Sequence, residues 1–238
     1  MKPTAIFFDK DGTLMNFDAF WVNVTKYVLS DILTQFNHSA DISDIDNLLN
    51  LLGVHNGETD IDGILCHGTY AQIAEVIHEF LKLQGIDTDI NVVNSAVISA
   101  YSKNIDKGEI KPTCDNLKDT LISLKNKGIS LYVITTDNPE MTHKCLETLG
   151  ILDCFEQVFT DDGILKPKPD PECIDKYCAK TGTPRGSILM VGDTMTDMNF
   201  AKNASIRVAA VGNDKNRNKL KKYADAVIPD VSHIPEVI

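Results

Sequence analysis

Two aspartates lie two residues apart, directly after a short apolar segment near the N-terminus. Asp9 and Asp11 follow Ala5–Phe8, which is predicted to form a buried strand. Side chains at i and i+2 of an extended segment point to the same side. Both carboxylates are therefore expected at one site beyond the strand, where open α/β sheets bind ligands. Gly12 permits a sharp turn there, and a divalent cation would relieve the repulsion between crowded carboxylates. The alternative is a solvated turn that is acidic by coincidence.

Hydroxyl groups follow a second predicted strand, Ser130–Ile134. Thr135 and Thr136, together with backbone N–H groups at the start of the next helix, can bind the oxygens of a phosphate. Capping of that helix by Asp137 or Asn138 is also expected. Capping by either residue does not exclude a role for Thr135 in binding a ligand.

A proline-rich loop, residues 165–171, carries Lys166 and Lys168. Proline restricts its own backbone and that of the residue before it, so the loop is stiff and can hold an ammonium group in place. A lone surface lysine is ordinarily solvated, but the rigid frame and the acidic surroundings favour a role in the site. Lys10, between the two aspartates, is by contrast expected to be incidental and exposed.

A further acidic segment follows another predicted strand, Ile188–Val191. Asp193 comes just after that strand, and Asp197 lies one helical turn later. Mg²⁺ prefers carboxylate oxygens, which makes Asp193 a candidate ligand, and Asp197 can support the metal or pair with a lysine. The alternative for Asp197 is that it complements the dipole of a helix capped by Thr194 or Thr196.

Six short apolar segments are predicted strands, and most lack polar alternation, as expected for parallel strands covered on both faces. They are Ala5–Phe8, Ser130–Ile134, Gln157–Phe159, Ile188–Val191, Arg207–Val211 and Ala226–Ile228. Helical patterns separate the later strands, at Thr113–Asn126, Pro139–Leu149, Asp170–Thr181, Thr196–Asn203 and Asp214–Tyr223. This alternation predicts right-handed crossovers and a Rossmann-like, doubly wound parallel α/β sheet.

Residues 16–106 break this alternation, because they carry helical periodicity and no convincing strand. Four helices are predicted there, at Ala19–Phe36, Ile42–Leu52, Tyr70–Leu83 and Asp89–Ser102. We expect an all-α helical-bundle cap domain at 16–106, inserted into a core domain formed by residues 1–15 and 107–238. The polar return path, Asn104–Glu109, is predicted to act as a hinge. The alternative is that these helices simply pack on the sheet.

Composition and charge narrow the classes of partner. The net charge of −11 over 238 residues argues against nucleic-acid binding and against docking on anionic membranes. No apolar segment approaches the roughly 20 residues of a membrane-spanning helix, and the N-terminus does not resemble a signal peptide. The six cysteines are scattered, so we expect reduced thiols in a cytoplasmic protein, with no zinc site. No sequence feature indicates an oligomeric state.

The four polar segments, in this order, resemble the motifs of the haloacid dehalogenase-like hydrolase superfamily. The matching segments are Asp9-Lys10-Asp11-Gly12-Thr13, Thr135, a lysine before Pro-x-Pro, and Gly192-Asp193-Thr194-Met195-Thr196-Asp197. The position of the inserted helices is similar to that of the helical cap in the phosphoglycolate phosphatase-like branch. Both Lys166 and Lys168 fit the lysine motif. Lys166 is favoured because Pro-Asp-Pro-Glu would then begin the next helix.

This resemblance implies a Mg²⁺-dependent phosphatase that acts on a small phosphorylated metabolite. It implies that Asp9 is a nucleophile forming an aspartyl-phosphate and that Asp11 is the general acid and base. Thr135 and Lys166 are implied to bind the phosphoryl oxygens. The implied metal site consists of Asp9, the backbone carbonyl of Asp11, Asp193 and Asp197. The alternatives are a phosphomutase of the same superfamily and a non-catalytic binding module that keeps the fold.

The inserted helices are the expected source of substrate specificity. The segment at residues 63–69, between two predicted helices, is a candidate specificity loop, and His67 is its candidate substrate contact. The alternative is a surface loop that caps the next helix. Other side chains can line a cleft, although aromatic residues at helical spacing more often belong to a core; these are Phe17, Trp21 and His55.

Overall fold

Short apolar segments form the strands of the computed structural model, which describes residues 2–213 and 216–238. The strands of these residues are β1 (Ala5–Phe8), β2 (Val54–His55), β3 (Glu58–Thr59), β4 (Ser130–Ile134), β5 (Gln157–Phe159), β6 (Ile188–Gly192), β7 (Arg207–Val211) and β8 (Ala226–Ile228). The α-helices are α1 (Asn23–Gln35), α2 (Ile42–Leu51), α3 (Ile64–His67), α4 (Tyr70–Leu83), α5 (Ile90–Asn104), α6 (Leu117–Asn126), α7 (Pro139–Thr148), α8 (Glu172–Thr181), α9 (Met195–Ala204) and α10 (Arg217–Leu220).

One unit, formed by residues up to Asn16 together with Ile110–Ile238, contains a six-stranded parallel sheet. The strand order is β5-β4-β1-β6-β7-β8, with β1 paired to both β4 and β6. Ile6 and Phe8 of β1 pack against α6 and α7 on one face, whereas Ala5 and Phe7 pack against α8 and α9 on the other. The expected doubly wound α/β fold is confirmed. All six predicted strands are present, and β6 extends one residue further than predicted.

The first helix of this unit after the insertion begins later than its apolar pattern indicates. The predicted start is Thr113, but α6 begins at Leu117. Thr113 instead donates a hydrogen bond from Oγ1 to the carbonyl of Thr13 (2.6 Å), which ties this segment to the loop after β1. The predicted helix Asp214–Tyr223 is represented by the shorter α10, and residues 214 and 215 lie outside the described part of the chain.

The second unit, Phe17–Glu109, is built mainly from helices. A π-helix, Asp18–Val22, leads directly into α1, and α5 packs against both α1 and α4. Within this bundle the hydroxyls of Thr25 and Tyr101 lie 2.9 Å apart, so the buried phenol has a hydrogen-bond partner.

Two short elements of this unit differ from the sequence prediction. The expectation of no strand is wrong, because β2 and β3 form a small antiparallel hairpin around an Asn-Gly turn. Asp18 Oδ1 accepts hydrogen bonds from the backbone N (3.0 Å) and Oγ1 (2.6 Å) of Thr59, which holds the hairpin against the π-helix. The segment expected to be a loop at residues 63–69 contains the one-turn helix α3.

The cysteines and the lengths of the helices agree with the sequence prediction. All six cysteines are free thiols, as their scattered spacing indicates. Within residues 2–213 and 216–238, no helix combines the length and the apolar character needed to cross a membrane.

Replacing Phe7 with alanine tests how strongly the central strand depends on its packing. The Phe7 ring is fully buried and lies 4.7 Å from the Tyr132 ring and 5.2 Å from the Tyr177 ring, centroid to centroid. We expect Phe7→Ala to lower the free energy of unfolding by roughly 3–5 kcal/mol in a urea titration, because it leaves a cavity. The control Ile164→Ala, at a side chain that is 75% exposed, should change it by less than about 0.5 kcal/mol. Equal losses would contradict this assignment of the core.

Candidate active site

The carboxyl ends of β1 and β6 bring together three acidic side chains. Phe8 lies opposite Val191 in the sheet, and Asp9 extends the ladder by donating from its backbone N to the carbonyl of Val191 (2.8 Å). Asp193 and Asp197 follow β6, and carboxylate oxygens of Asp9, Asp193 and Asp197 lie within 4.8 Å of one another. We call these three residues the acidic cluster.

Two glycines allow the chain to approach the cluster closely. Gly12 has a φ of +78°, and a Cβ atom on it would overlap the carboxylate of Asp193. A Cβ atom on Gly192 would overlap the carboxylate of Asp197 in the same way. Thr13, just after Gly12, donates from Oγ1 to Asp193 Oδ1 at 3.0 Å. The loop after β1 therefore positions an acid that the chain contributes 180 residues later.

Lys168 supplies positive charge at the acidic cluster. Its Nζ donates to Asp9 Oδ1 and to Asp197 Oδ1, both at 2.6 Å, and its side chain is 3% exposed. Burial alone would lower the pKa of Lys168, but the carboxylates of Asp197 and Asp9 raise it above its usual value. The ammonium group therefore stays charged and holds the two carboxylates on either side of it.

The prediction that Lys166 is the lysine of the site is wrong. Its side chain is 71% exposed and pairs with Asp170 at 3.5 Å, and its backbone N donates to Glu172 Oε2 at 3.0 Å. Pro167 separates the two lysines and Pro169 follows the second, and this stiff turn directs only Lys168 inward. The motif fits either lysine, so the choice depends on the path of the loop.

The acidic cluster carries more negative charge than Lys168 balances. Burial, together with the carboxylates of Asp197 and Asp11, raises the pKa of Asp9 to about 7 despite the opposing effect of Lys168. Burial, Asp9 and Asp197 also raise the pKa of Asp193 well above its ordinary value. Carboxylate oxygens are the ligands that Mg²⁺ prefers. A divalent cation fits these residues because it would replace protons that the crowded carboxylates otherwise retain.

Asp197 serves two of the roles considered for it. Its Oδ1 pairs with Lys168, while its Oδ2 accepts hydrogen bonds from the backbone N (3.0 Å) and Oγ1 (2.7 Å) of Thr194 at the start of α9. The helix cap and the contact with the lysine therefore coexist in one buried side chain.

The loop after β4 carries the predicted hydroxyls. Thr135 is buried, and its Oγ1 accepts a hydrogen bond from the backbone N of Asp137 at 3.2 Å. Thr136 is exposed in the same turn. Asn138 caps α7, since its Oδ1 accepts from the backbone N of Met141 at 2.9 Å. Because β4 is paired with β1, Thr135 lies at the same edge of the sheet as the acidic cluster.

Asp11 and Asp9 contact different lysines. The carboxylate of Asp11 is not a member of the acidic cluster; its Oδ2 lies 2.6 Å from Lys10 Nζ. The expectation that Lys10 is exposed is wrong, because its side chain is completely buried and also lies 3.3 Å from Asp137 Oδ2. Its position directly after a strand that is buried on both faces is the signal that was missed, because the residues that continue such a strand also enter the protein interior.

The remaining candidates lie in the helical unit. His67 Nε2 is 2.8 Å from the carbonyl of Asp62, and Thr69 forms a capping box at the start of α4. The ring of Trp21 lies 5.1 Å from that of Phe20, and the rings of Phe17 and Tyr101 are also near it, so these aromatic residues contact one another. His55 Nδ1 lies 3.0 Å from Asn50 Oδ1. A substrate contact by His67 stays a prediction.

The raised pKa of Asp9 predicts how added Mg²⁺ stabilises the protein at different pH values. In the unfolded chain this carboxyl has a pKa near 3.9, so the contribution of Asp9 to the stability of the metal-free fold is lost as pH rises from about 4 through about 7. A cation needs the ionised carboxylates. We therefore expect saturating Mg²⁺ to raise the melting temperature more at about pH 8 than at about pH 5, measured by calorimetry. Asp193→Asn should abolish most of this difference. An equal rise in the melting temperature of the wild-type protein at both pH values would contradict the prediction.

Comparisons with known proteins identify sequences that are similar to this chain. The sequence pattern of the haloacid dehalogenase-like hydrolase family matches residues 6–211. Pyrophosphatase PpaX of Oceanobacillus iheyensis is 34% identical over 122 residues, which cover 50% of this chain and 57% of that protein. Phosphoglycolate phosphatase of Thiobacillus denitrificans is 28% identical over 120 residues, covering 50% and 53%. The chain thus spans just over half the length of these two relatives.

A solved structure extends the likeness to the whole fold. The crystal structure of a predicted phosphoglycolate phosphatase from Haemophilus somnus 129PT superposes with a TM-score of 0.69 at 20% identity, covering 100% of this chain and 98% of that one. At this identity the likeness establishes the fold. Together with the family pattern, which includes the segments that carry the acidic cluster and Lys168, it shows that the chain belongs to the haloacid dehalogenase-like hydrolase family.

Proposed function

We propose that the chain is a Mg²⁺-dependent phosphatase that hydrolyses a small phosphomonoester through an aspartyl-phosphate on Asp9. The observation that carries this proposal is the contact between buried Lys168 and Asp9 inside the acidic cluster. Phosphoryl transfer depends mainly on positioning and on the neutralisation of charge. Membership of the hydrolase family and relatives named as phosphatases also support it.

Asp9 is the nucleophile in this proposal because its side chain is restrained and buried. Its side chain is 10% exposed, and Lys168 restrains it through Oδ1. Lys168 can also reach an oxygen of a phosphoryl group that approaches Asp9, where its charge would offset the charge of the transition state. Asp197 holds Lys168 from the other side and so keeps the ammonium group in place.

The acidic cluster would hold the metal. Asp9, the backbone carbonyl of Asp11, and Asp193 are the proposed ligands, and Thr13 orients the carboxylate of Asp193. When bound, Mg²⁺ would supply positive charge to the phosphoryl oxygens. Asp197 supports the site through its contact with Lys168.

Asp11 and Thr135 complete the proposed machinery. Asp11 gives a proton to the departing alcohol and then takes one from the water that hydrolyses the aspartyl-phosphate. Thr135 Oγ1 accepts a hydrogen bond from the backbone of Asp137, and its own O–H is the group proposed to donate to a phosphoryl oxygen.

Inorganic pyrophosphate is a second candidate substrate because the 34%-identical relative is named as a pyrophosphatase. Hydrolysis of pyrophosphate would use the same residues, with phosphate in place of the alcohol as the leaving group. Parallel assays with phosphoglycolate, pyrophosphate and a hexose phosphate distinguish the candidates. Free phosphate released from only one of the first two identifies the substrate class. An isomerised sugar phosphate without release of phosphate would instead identify a phosphomutase.

Replacing the nucleophile is the first test of the mechanism. We expect Asp9→Asn to lower the kcat for p-nitrophenyl phosphate with Mg²⁺ by about 10³-fold or more, because the amide cannot form the acyl phosphate. Labelled phosphate should be trapped on the wild-type chain, be released by hydroxylamine, and be absent from the variant. Wild-type kcat in the folded variant would exclude Asp9 as the nucleophile and leave a non-catalytic role for this site.

The two lysines of the proline-rich loop form a matched pair of variants. Lys168→Met should lower kcat/KM by roughly 10²–10³-fold, because it removes the only lysine that contacts Asp9 in the described part of the chain. Lys166→Met should stay within about twofold of wild type, since its ammonium group is exposed and pairs with Asp170. The reverse order would restore Lys166 as the lysine of the site.

A further inference from the structure

Lys10 has a completely buried side chain although the acidic cluster already has its own lysine. Burying an ammonium group costs several kcal/mol unless it is paired. Nothing in the role proposed for Asp9 uses Lys10, and Lys168 makes the contact with that nucleophile. The burial of a second lysine, in the loop after β1, therefore needs its own explanation.

The partners of Lys10 are the carboxylates of two different loops. Its Nζ lies 2.6 Å from Asp11 Oδ2 and 3.3 Å from Asp137 Oδ2. Asp137 is itself held in the turn after β4, since its Oδ1 accepts from the backbone N of Asn138 at 2.9 Å and its own N donates to Thr135. Lys10 thus links the side chain of Asp11 to the turn that carries the phosphate-binding hydroxyl.

The two ion pairs offset the buried charge of Lys10. Lys10 Nζ and Asp137 Oδ2 are both buried, so the carboxylates at 2.6 and 3.3 Å compensate an ammonium group that water does not reach. The contact with Lys10 restrains the carboxylate of Asp11 at Oδ2, and the side chain of Asp11 stays 19% exposed. A general acid and base needs both properties, because it must be held in place and still reach the reacting oxygen.

We propose that Lys10 is a positioning residue for Asp11, with Asp137 bracing the ammonium group from the second loop. The proposal rests on the proposed function, because it assigns Lys10 to the proton-transfer step of that mechanism. Without the ammonium group, Asp11 would sample other rotamers and would be aligned in only a fraction of the molecules. Lys10 then acts on turnover through Asp11 and does not act on metal binding at the acidic cluster.

A double-mutant cycle of Lys10→Met and Asp11→Asn separates this role from a structural one. We expect Lys10→Met to lower the kcat for p-nitrophenyl phosphate by about 10–100-fold, with KM and the Kd for Mg²⁺ within about threefold of wild type. In the Asp11→Asn background the same substitution should change kcat by less than about twofold, because the group it positions is already lost. An equal fold-loss of kcat on Lys10→Met substitution in the wild-type and Asp11→Asn backgrounds would overturn the proposal. The surface control Lys127→Met should match wild type.

A transient measurement adds a readout that simple loss of structure would not change. p-Nitrophenolate leaves readily, so poor alignment of Asp11 should mainly slow hydrolysis of the aspartyl-phosphate. Lys10→Met should therefore show a burst of nitrophenolate close to one per folded chain, followed by a slow steady state. A burst and a steady state reduced by the same factor would overturn the positioning role.

Two further variants keep the test decisive. If Lys10→Met does not fold, Asp137→Asn removes the second carboxylate partner while Lys10 and Asp11 remain. This variant should lower kcat by a smaller factor, and the loss should disappear in the Asp11→Asn background. An additive effect of Asp137→Asn would overturn the proposal. Wild-type kcat in Asp9→Asn or Asp11→Asn would refute the proposed function itself. A large loss in both of these, with wild-type kcat in Lys10→Met, would refute only the role of Lys10.

Discussion

The site depends on one ammonium group held between two buried carboxylates. Lys168 contacts Asp9 and Asp197 at 2.6 Å each, and these three side chains join the end of β1, the proline-rich loop and the start of α9. In the low-dielectric interior of a protein, these three charged side chains are stable only together, because removal of one partner leaves a buried charge unpaired. The three side chains thus connect these segments of the chain, and Lys168 supplies fixed positive charge at the edge of the sheet.

The backbones of β1 and β6 bring these side chains together. Parallel pairing of β1 with β6 brings Asp9 and Asp193 to the same edge, although they are far apart in sequence. Gly12 and Gly192 then leave space where any larger residue would collide with the carboxylates of the cluster. The glycines of the two motifs are therefore explained by the acids opposite them, since each glycine contacts an acid and each acid also accepts a hydrogen bond from a threonine.

The parts of the structure that sequence predicts well are those set by local pattern. Continuous apolar segments identify all six core strands, because strands buried on both faces leave no polar alternation. Local sequence pattern does not predict features that depend on tertiary contacts. Lys166 and Lys168 occupy equivalent places in their local sequence, and only the path of the loop buries one of them. The β2–β3 hairpin was missed because two-residue strands are too short to show alternation.

Lys10 shows how the two buried lysines divide the acids at the end of the sheet. Lys168 contacts Asp9 and Asp197, whereas Lys10 contacts Asp11 and Asp137. Asp193 contacts neither lysine in the described residues, and it is the acid whose pKa burial and its carboxylate neighbours raise well above normal. The crowding of carboxylates that raises pKa values is therefore concentrated at Asp193 and Asp9. A divalent cation bound at Asp9 and Asp193 would offset this crowding, at carboxylates other than the one that pairs with Lys10.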